Sequence, residues 1–308
     1  VKSFQYTLKK PARFSGIGLH SGKKVTIVIE PAPADSGICF VRTDVGRSVE
    51  IPCRSEFVTD TSLATTVGKD GVTVGTIEHL MAAFAGLGVD NARVLIDGPE
   101  VPAMDGSAAP FVYGIQRAGL KIQKKSKRFI KLLEPITVTS GGSSICLEPS
   151  NCLEISFMID FAHPLIAEQQ FSTKISSSLF KRHIAKARTF GFLKEVEMLR
   201  QNGFALGGSL ENAIVIGDEE ILNKEGLRFE DEFVRHKVLD LIGDLYLLGA
   251  PLMAKVASVR SGHTLHHLLN QEIISRPYAW KYTTTCPSWE VPRLSPVSET
   301  AIAPACPA

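Results

Sequence analysis

The sequence predicts an α+β protein of two domains, and three observations carry that reading. The chain has 308 residues, 44% of them apolar, enough for two separate cores at about 150 residues per domain. β-rich runs alternate with helical segments that carry recognisable start and stop residues. Residues 121–128 hold five Lys or Arg side chains and little apolar material, and read as a solvated linker between the halves.

In the first half, Val25-Thr26-Ile27-Val28-Ile29 and Ala92-Arg93-Val94-Leu95-Ile96 read as strands. Between them residues 76–86 read as a helix, with Thr76 as N-cap and Gly86 as C-cap. A second helix is expected over 108–118, closed by Gly119. Beyond the basic stretch, residues 129–138, 144–148 and 153–161 read as strands and 176–188 as a helix. A long helix is expected from about 230 to 248, where Gly249 and Pro251 supply the stop. A last strand, 253–259, leads into Ser261-Gly262-His263 and a short helix through Asn270. The final 32 residues carry six of the 17 prolines, and this tail, 277–308, reads as weakly ordered or packed late against the body.

Charge and cysteine content narrow the chemistry. With 34 basic against 32 acidic side chains the net charge is +2, which argues against a nucleic-acid binder that works by bulk charge. Apolar residues never run long enough without a charge to make a membrane-spanning helix. The first residues lack the charged-then-apolar pattern of a signal peptide, so a cytoplasmic protein is expected. The six cysteines form no C-x-x-C pair, which excludes a disulfide scaffold and a thiolate zinc site. Any bound metal then needs His, Asp and Glu, and the chain has eight histidines.

The long helix carries His236, Asp240 and Asp244 four residues apart, so all three project from one face. A solvated charged face is the plain alternative. Glu78-His79 lies on the first helix among apolar residues, where a hydrogen-bonded core histidine is the plain alternative. His263 follows a strand in a Ser-Gly-His turn. Two histidines and an aspartate make a three-ligand set with an open fourth position, the arrangement of a catalytic zinc. Hydrolysis there needs a base, a cation for the oxyanion and an acid. Glu78, Lys237 and His263 suit those tasks, with Asp244 keeping His263 basic.

These segments resemble the UDP-(3-O-acyl)-N-acetylglucosamine deacetylase family, zinc amidases of lipid A biosynthesis in Gram-negative bacteria. The matching stretches occur in one order: Gly16-Ile17-Gly18-Leu19-His20-Ser21-Gly22, Thr76-Ile77-Glu78-His79-Leu80, Met104-Asp105-Gly106-Ser107, Ala187-Arg188-Thr189-Phe190, Gly207-Gly208-Ser209-Leu210-Glu211-Asn212-Ala213, Glu232 to Asp244, and Ser261-Gly262-His263. The resemblance implies two similar two-layer α/β sandwich domains, each a sheet packed on helices, with the active site between them. Residues 1–123 would form the first, carrying Glu78 and His79, and 128–275 the second, with an acyl-passage insert near 192–213.

By matching positions, the resemblance makes His79, His236 and Asp240 the ligands of one Zn2+, Glu78 the general base and His263 the general acid partnered by Asp244. Lys237 and Thr189 become the oxyanion and intermediate stabilisers. Phe190 is similar to the family residue near the acyl chain, Asp160 and Phe161 to the nucleotide-contacting segment, and Arg260 to a Lys near the diphosphate. Leu19 in the glycine turn and Ser62 in Asp60-Thr61-Ser62-Leu63-Ala64-Thr65 complete the expected substrate contacts. That last segment is smaller and more polar than is usual in the family, which leaves chain-length preference open. The implied partner is acylated UDP-N-acetylglucosamine, handled by a monomer. Two other readings compete: a two-His-one-carboxylate iron oxygenase and a non-catalytic binder of acylated sugar nucleotides.

Overall fold

Local chemistry accounts for most of the elements in the computed structural model, which describes residues 3–46 and 48–286. The first half runs β1 (Phe4–Leu8), β2 (Ala12–Ile17), β3 (Lys24–Pro31), β4 (Ile38–Arg42), β5 (Val49–Pro52), β6 (Val58–Asp60), β7 (Thr66–Lys69), β8 (Val72–Val74), α1 (Glu78–Leu87), β9 (Ala92–Ile96), α2 (Ala109–Ala118) and β10 (Leu120–Ser126). The second runs β11 (Phe129–Leu132), β12 (Ile136–Ser140), β13 (Ser143–Pro149), β14 (Glu154–Asp160), β15 (Glu168–Lys174), α3 (Ser177–Leu179), β16 (Phe190–Phe192), α4 (Leu193–Gln201), β17 (Ile214–Ile216), α5 (Glu232–Leu245), β18 (Leu252–Val259), α6 (His263–Ser275) and β19 (Trp280–Thr283).

A five-stranded sheet, ordered β2-β3-β9-β4-β5, belongs to the first half. A seven-stranded sheet belongs to the second, ordered β12-β13-β18-β11-β19 with β14 joined to β18 and β15 to β14. Alternation explains the faces: Val25, Ile27 and Ile29 of β3 are buried while the residues between them are not. The helices follow a different rule. α5 is buried on every side except at Arg235 and Lys237, as expected of a helix covered by other elements rather than lying at the surface. One continuous apolar core takes residues from both halves, among them Phe40, Phe84, Phe157, Phe233 and Val256.

Several elements depart from the sequence reading, each for a physical reason. Thr76 is not an N-cap: its backbone is left-handed (φ +53°), and its hydroxyl donates to Glu100 Oε1 at 2.7 Å. The same carboxylate accepts from the backbone N–H groups of His20 and Ser21, so Thr76 and Glu100 fix the glycine turn instead. The helix ends not at Gly86 but at Leu87, with Gly88 in the left-handed conformation that terminates a helix without a Cβ clash. The expected strand over 129–138 is two strands, because Pro135 has no N–H to give a ladder. The expected helix over 176–188 shrinks to α3 and a π turn, Phe180–Ile184, that buries both of its end residues.

The stretch read as a solvated linker is a strand. β10 pairs antiparallel with β1, and its Lys121, Lys124 and Lys125 stay exposed while the backbone is laddered. Lys127, just beyond, is fully buried and donates to Asp90 Oδ1 at 2.6 Å and to the Gly88 carbonyl at 3.1 Å. The tail expected to be loose begins as ordered structure, since β19 pairs antiparallel with β11. The rest of it, 287–308, lies outside the described residues. Among the described residues, no helix is long and apolar enough to cross a membrane.

Candidate metal centre and active site

Two buried helices build the centre. α1 contributes Glu78 and His79 from its first turn, and α5 contributes His236, Asp240 and Asp244 from one face, as their spacing requires. Where the helices cross, Gly243 lies against the Glu78 backbone so closely that a Cβ there would collide with the Glu78 carbonyl. That approach sets His79 opposite His236, with ring centroids 4.9 Å apart. The N-terminus of α5 is tied down separately, because buried Arg188 donates from its backbone N–H and from Nε to Glu232 Oε1 at 3.0 and 2.9 Å. Arg188 thereby also positions its neighbours Ala187, Thr189 and Phe190.

The donor atoms of His79, His236 and Asp240 all lie within 4.8 Å of one another, and all three residues are buried. His236 Nδ1 donates to the Ala187 carbonyl at 3.1 Å, since a carbonyl can only accept. Its Nε2 therefore turns a lone pair toward Asp240 Oδ1, 3.3 Å away; His79 Nε2 is 3.6 Å from the same oxygen. Among the described residues, none donates a hydrogen bond to the buried Asp240 Oδ1. Burial pushes His236 down to about 3, so it is neutral. Burial would raise the Asp240 carboxyl, but His236, Lys237 and His79 around it hold it well below the usual carboxylate range. An ionised oxygen facing a neutral imidazole lone pair in a buried site lacks a cation, and nitrogen and carboxylate donors suit zinc.

The groups around this set are equally specific. Lys237 Nζ lies 2.9 Å from Asp240 Oδ2 and above the Phe190 ring, and against its partial burial the surrounding carboxylates, Asp240 foremost, hold it protonated. Burial raises the Glu78 carboxyl against the pull of His263 and His79, and its Oε2 accepts the Thr65 N–H at 3.0 Å. Asp244 Oδ2 lies 2.7 Å from His263 Nδ1. Burial opposes charge on His263, yet Asp244, with Glu78 and Asp240, holds its pKa up at about 9.

The other predicted residues lie in five places. Phe190 packs edge-on to Phe233 and Phe161 and stands 6.2 Å from the His236 ring, so Phe190 reaches the centre while Phe161 packs against Phe190. Asp160 and Arg260 face each other across 3.7 Å at the exposed end of β14. Thr189 is pinned by backbone bonds to Gly106 and Ile214, two residues from the carbonyl that orients His236. Leu19 accepts from the Gly207 N–H, which docks the glycine turn against the segment after α4. His20, Leu63, Ala64 and Phe204 line one open cleft there. Ser62 is exposed and its hydroxyl is bonded to Asp60, outside the buried constellation.

Two participants escaped the sequence reading. Thr65 donates its hydroxyl to Asp244 Oδ1 at 2.6 Å and its N–H to Glu78, linking the two carboxylates; nothing in its spacing signals this. His266 is fully buried with Nδ1 2.7 Å from Asp244 Oδ2. Its place three residues after His263 on α6 was a legible signal, because such residues share a helix face.

A mixed α+β fold with a buried two-His-one-carboxylate set, a carboxylate beside it and a histidine held protonated is that of a metal-dependent hydrolase. Comparison with known sequences gives the class a family. Residues 5–275 match the family described as LpxC: UDP-3-O-acyl N-acetylglycosamine deacetylase. Proteins named UDP-3-O-acyl-N-acetylglucosamine deacetylase are similar throughout: that of Myxococcus xanthus is 52% identical over 277 residues, 90% of this chain and 88% of that protein. That of Shewanella violacea is 46% identical over 298 residues, 96% of each chain. The chain belongs to the UDP-3-O-acyl N-acetylglycosamine deacetylase family.

Proposed function

We propose that this chain hydrolyses the N-acetyl amide of UDP-(3-O-(3-hydroxyacyl))-N-acetylglucosamine, releasing acetate and the free 2-amino sugar nucleotide, the committed step of lipid A biosynthesis. The observation that carries the reading is Asp240 Oδ1, buried without a hydrogen bond between the Nε2 atoms of two histidines. His79, His236 and Asp240 would hold one Zn2+, as family membership supports. When bound, the ion supplies a Lewis acid for the acetyl carbonyl and lowers the pKa of water. Glu78, kept basic enough by burial, takes the proton of the attacking water. Lys237 presents a cation to the developing oxyanion, with Thr189 beside it. His263, protonated at neutral pH, gives its proton to the leaving amine and is oriented by Asp244.

Substrate contacts follow the same reading. Phe161 and Phe190 cover the approach to His236, with Asp160 and Arg260 at the nucleotide end. Leu193, Met198, Leu206 and Leu210 in the 192–213 insert are large apolar residues left exposed, which suits an acyl chain. Leu19 and Ser62 stand at the mouth. The separate five- and seven-stranded sheets support two sandwich domains, 1–123 and 128–275, with the site between them. The reading takes the chain as a monomer, and nucleotide-sugar chemistry supports a cytoplasmic setting. Membership in a zinc amidase family leaves the iron oxygenase and the non-catalytic binder without support.

Acetate release from the acylated sugar nucleotide, measured with zinc content on the same preparation, tests the proposal. Glu78→Ala should keep the metal and lose about 10²–10⁴-fold in turnover. Turnover within a few-fold of wild type would remove Glu78 from its role.

A further inference from the structure

Asp244 serves two imidazoles through one oxygen. His263 Nδ1 and His266 Nδ1 each lie 2.7 Å from Asp244 Oδ2, and an ionised carboxylate only accepts, so both Nδ1 atoms carry hydrogen. On its far side His266 Nε2 is 2.9 Å from Ser261 Oγ, which is 2.6 Å from Ser258 Oγ. Both serines and His266 are buried. Burial keeps His266 below the ordinary histidine value, so its ring is neutral and Nε2 accepts from Ser261. An unbroken relay results: Ser258, Ser261, His266, Asp244, His263.

We infer that His266 is a positioning residue for the reaction: sharing the Asp244 oxygen that holds His263, it fixes that carboxylate and limits how much of its charge reaches the His263 ring. The inference rests on His263 acting as the acid. A carboxylate oxygen that accepts a second donor is a weaker partner for the first. Without His266, Asp244 would stabilise the His263 imidazolium further, and an acid held too tightly gives up its proton less readily. The other groups that act on His263 are Glu78 from α1, Asp240 from α5 and His20 from the glycine turn; His266 feels Asp244, Asp240 and His263. Of these, only His266 shares the Asp244 oxygen with His263.

The test is the pH profile of kcat for the zinc-loaded full chain and four variants. His266→Phe should move the alkaline limb up by about 0.5–1 pH unit and lower kcat at neutral pH by about 3–30-fold, with KM within about two-fold. His266→Asn restores a donor toward Asp244 and should bring the limb back to within about 0.3 unit. Ser261→Ala weakens the chain behind His266, should shift the limb the same way by less, and carries the test if the phenylalanine variant does not fold. His263→Ala should abolish the limb. A limb that is unmoved in the His266→Phe and Ser261→Ala proteins but abolished by His263→Ala overturns the inference. So does an asparagine variant shifted as far as the phenylalanine one. A limb that survives His263→Ala overturns the assignment of His263 itself, and this inference with it.

Discussion

Gly243 of α5 lies directly against the backbone carbonyl of Glu78 on α1, with no room for a side chain between them. Helices normally stand 8–10 Å apart, set by the side chains at their contact, and glycine lets these two backbones come closer than most. The contact falls one residue before Asp244 on α5 and one before His79 on α1, so the close approach is what brings the predicted ligands of the two helices within reach.

A methyl group at that crossing must push α1 away from α5. We expect Gly243→Ala to destabilise the fold by about 1–3 kcal/mol, the usual effect of overpacking a core. It should also weaken zinc retention more than a loss of stability alone explains. Denaturant unfolding paired with a competitive zinc titration checks both; unchanged zinc affinity in the folded variant would separate the crossing from the metal site.

Lys127 carries the second prediction. Its side chain is fully buried, with Nζ on Asp90 Oδ1 and on the Gly88 carbonyl, and Asp90 Oδ2 in turn accepts the Tyr6 N–H. Removing one member leaves the other charge buried, so Lys127→Ala should cost about 3–5 kcal/mol. Pairing Lys127→Met with Asp90→Asn should recover part of that loss, because no charge is then left uncompensated. A double variant no more stable than Lys127→Ala in chemical denaturation would contradict this account.

Lys127 also shows where sequence reading stops. Five cationic residues in eight look like solvent-facing linker, and burial of the fourth depends on Asp90, 37 residues earlier in the chain. The same limit hid Thr65, whose two bonds join Glu78 to Asp244 across the fold. What could be read was whatever periodicity encodes: β3 and β9 from their β-rich runs, and His236, Asp240 and Asp244 on one face from their four-residue spacing. Helix ends were read less well. Thr76 has the chemistry of an N-cap, but Glu100 claims its hydroxyl and the backbone turns left-handed. The pairing of α1 with α5 rested on the chemistry of a two-histidine, one-aspartate ligand set and on family resemblance, since no local pattern carries it.

Asp240 is expected to lose zinc when its charge is removed. Its Oδ1 is buried without a hydrogen-bond partner among the described residues, while Oδ2 lies 2.9 Å from Lys237 Nζ. Asp240→Asn should lower zinc stoichiometry well below one and, by leaving Lys237 without its carboxylate, also lower the stability of the metal-free protein. Stripping zinc from the wild type with a chelator should lower its unfolding temperature, and Asp240→Asn should show little further loss under the same treatment. Elemental analysis and thermal scans with and without chelator decide it; full zinc occupancy in the variant would exclude Asp240 as a ligand.

His263 couples stability to alkaline pH. Its folded pKa is raised to about 9 from the ordinary histidine value of about 6.5, so the protonated form is the one the fold favours. The contribution to stability is therefore complete below about 6.5 and lost as pH rises through about 9. Asp244 acts on the other side: its carboxyl is held below the usual range, so what it contributes is present above about 3.9 and lost as pH falls. Between pH 7 and 9.5 the metal-free wild type should lose stability relative to His263→Ala, so that their denaturation midpoints converge as the imidazolium disappears. Midpoints that run parallel across that range would mean that His263 is not held protonated, and the acid role would go with it.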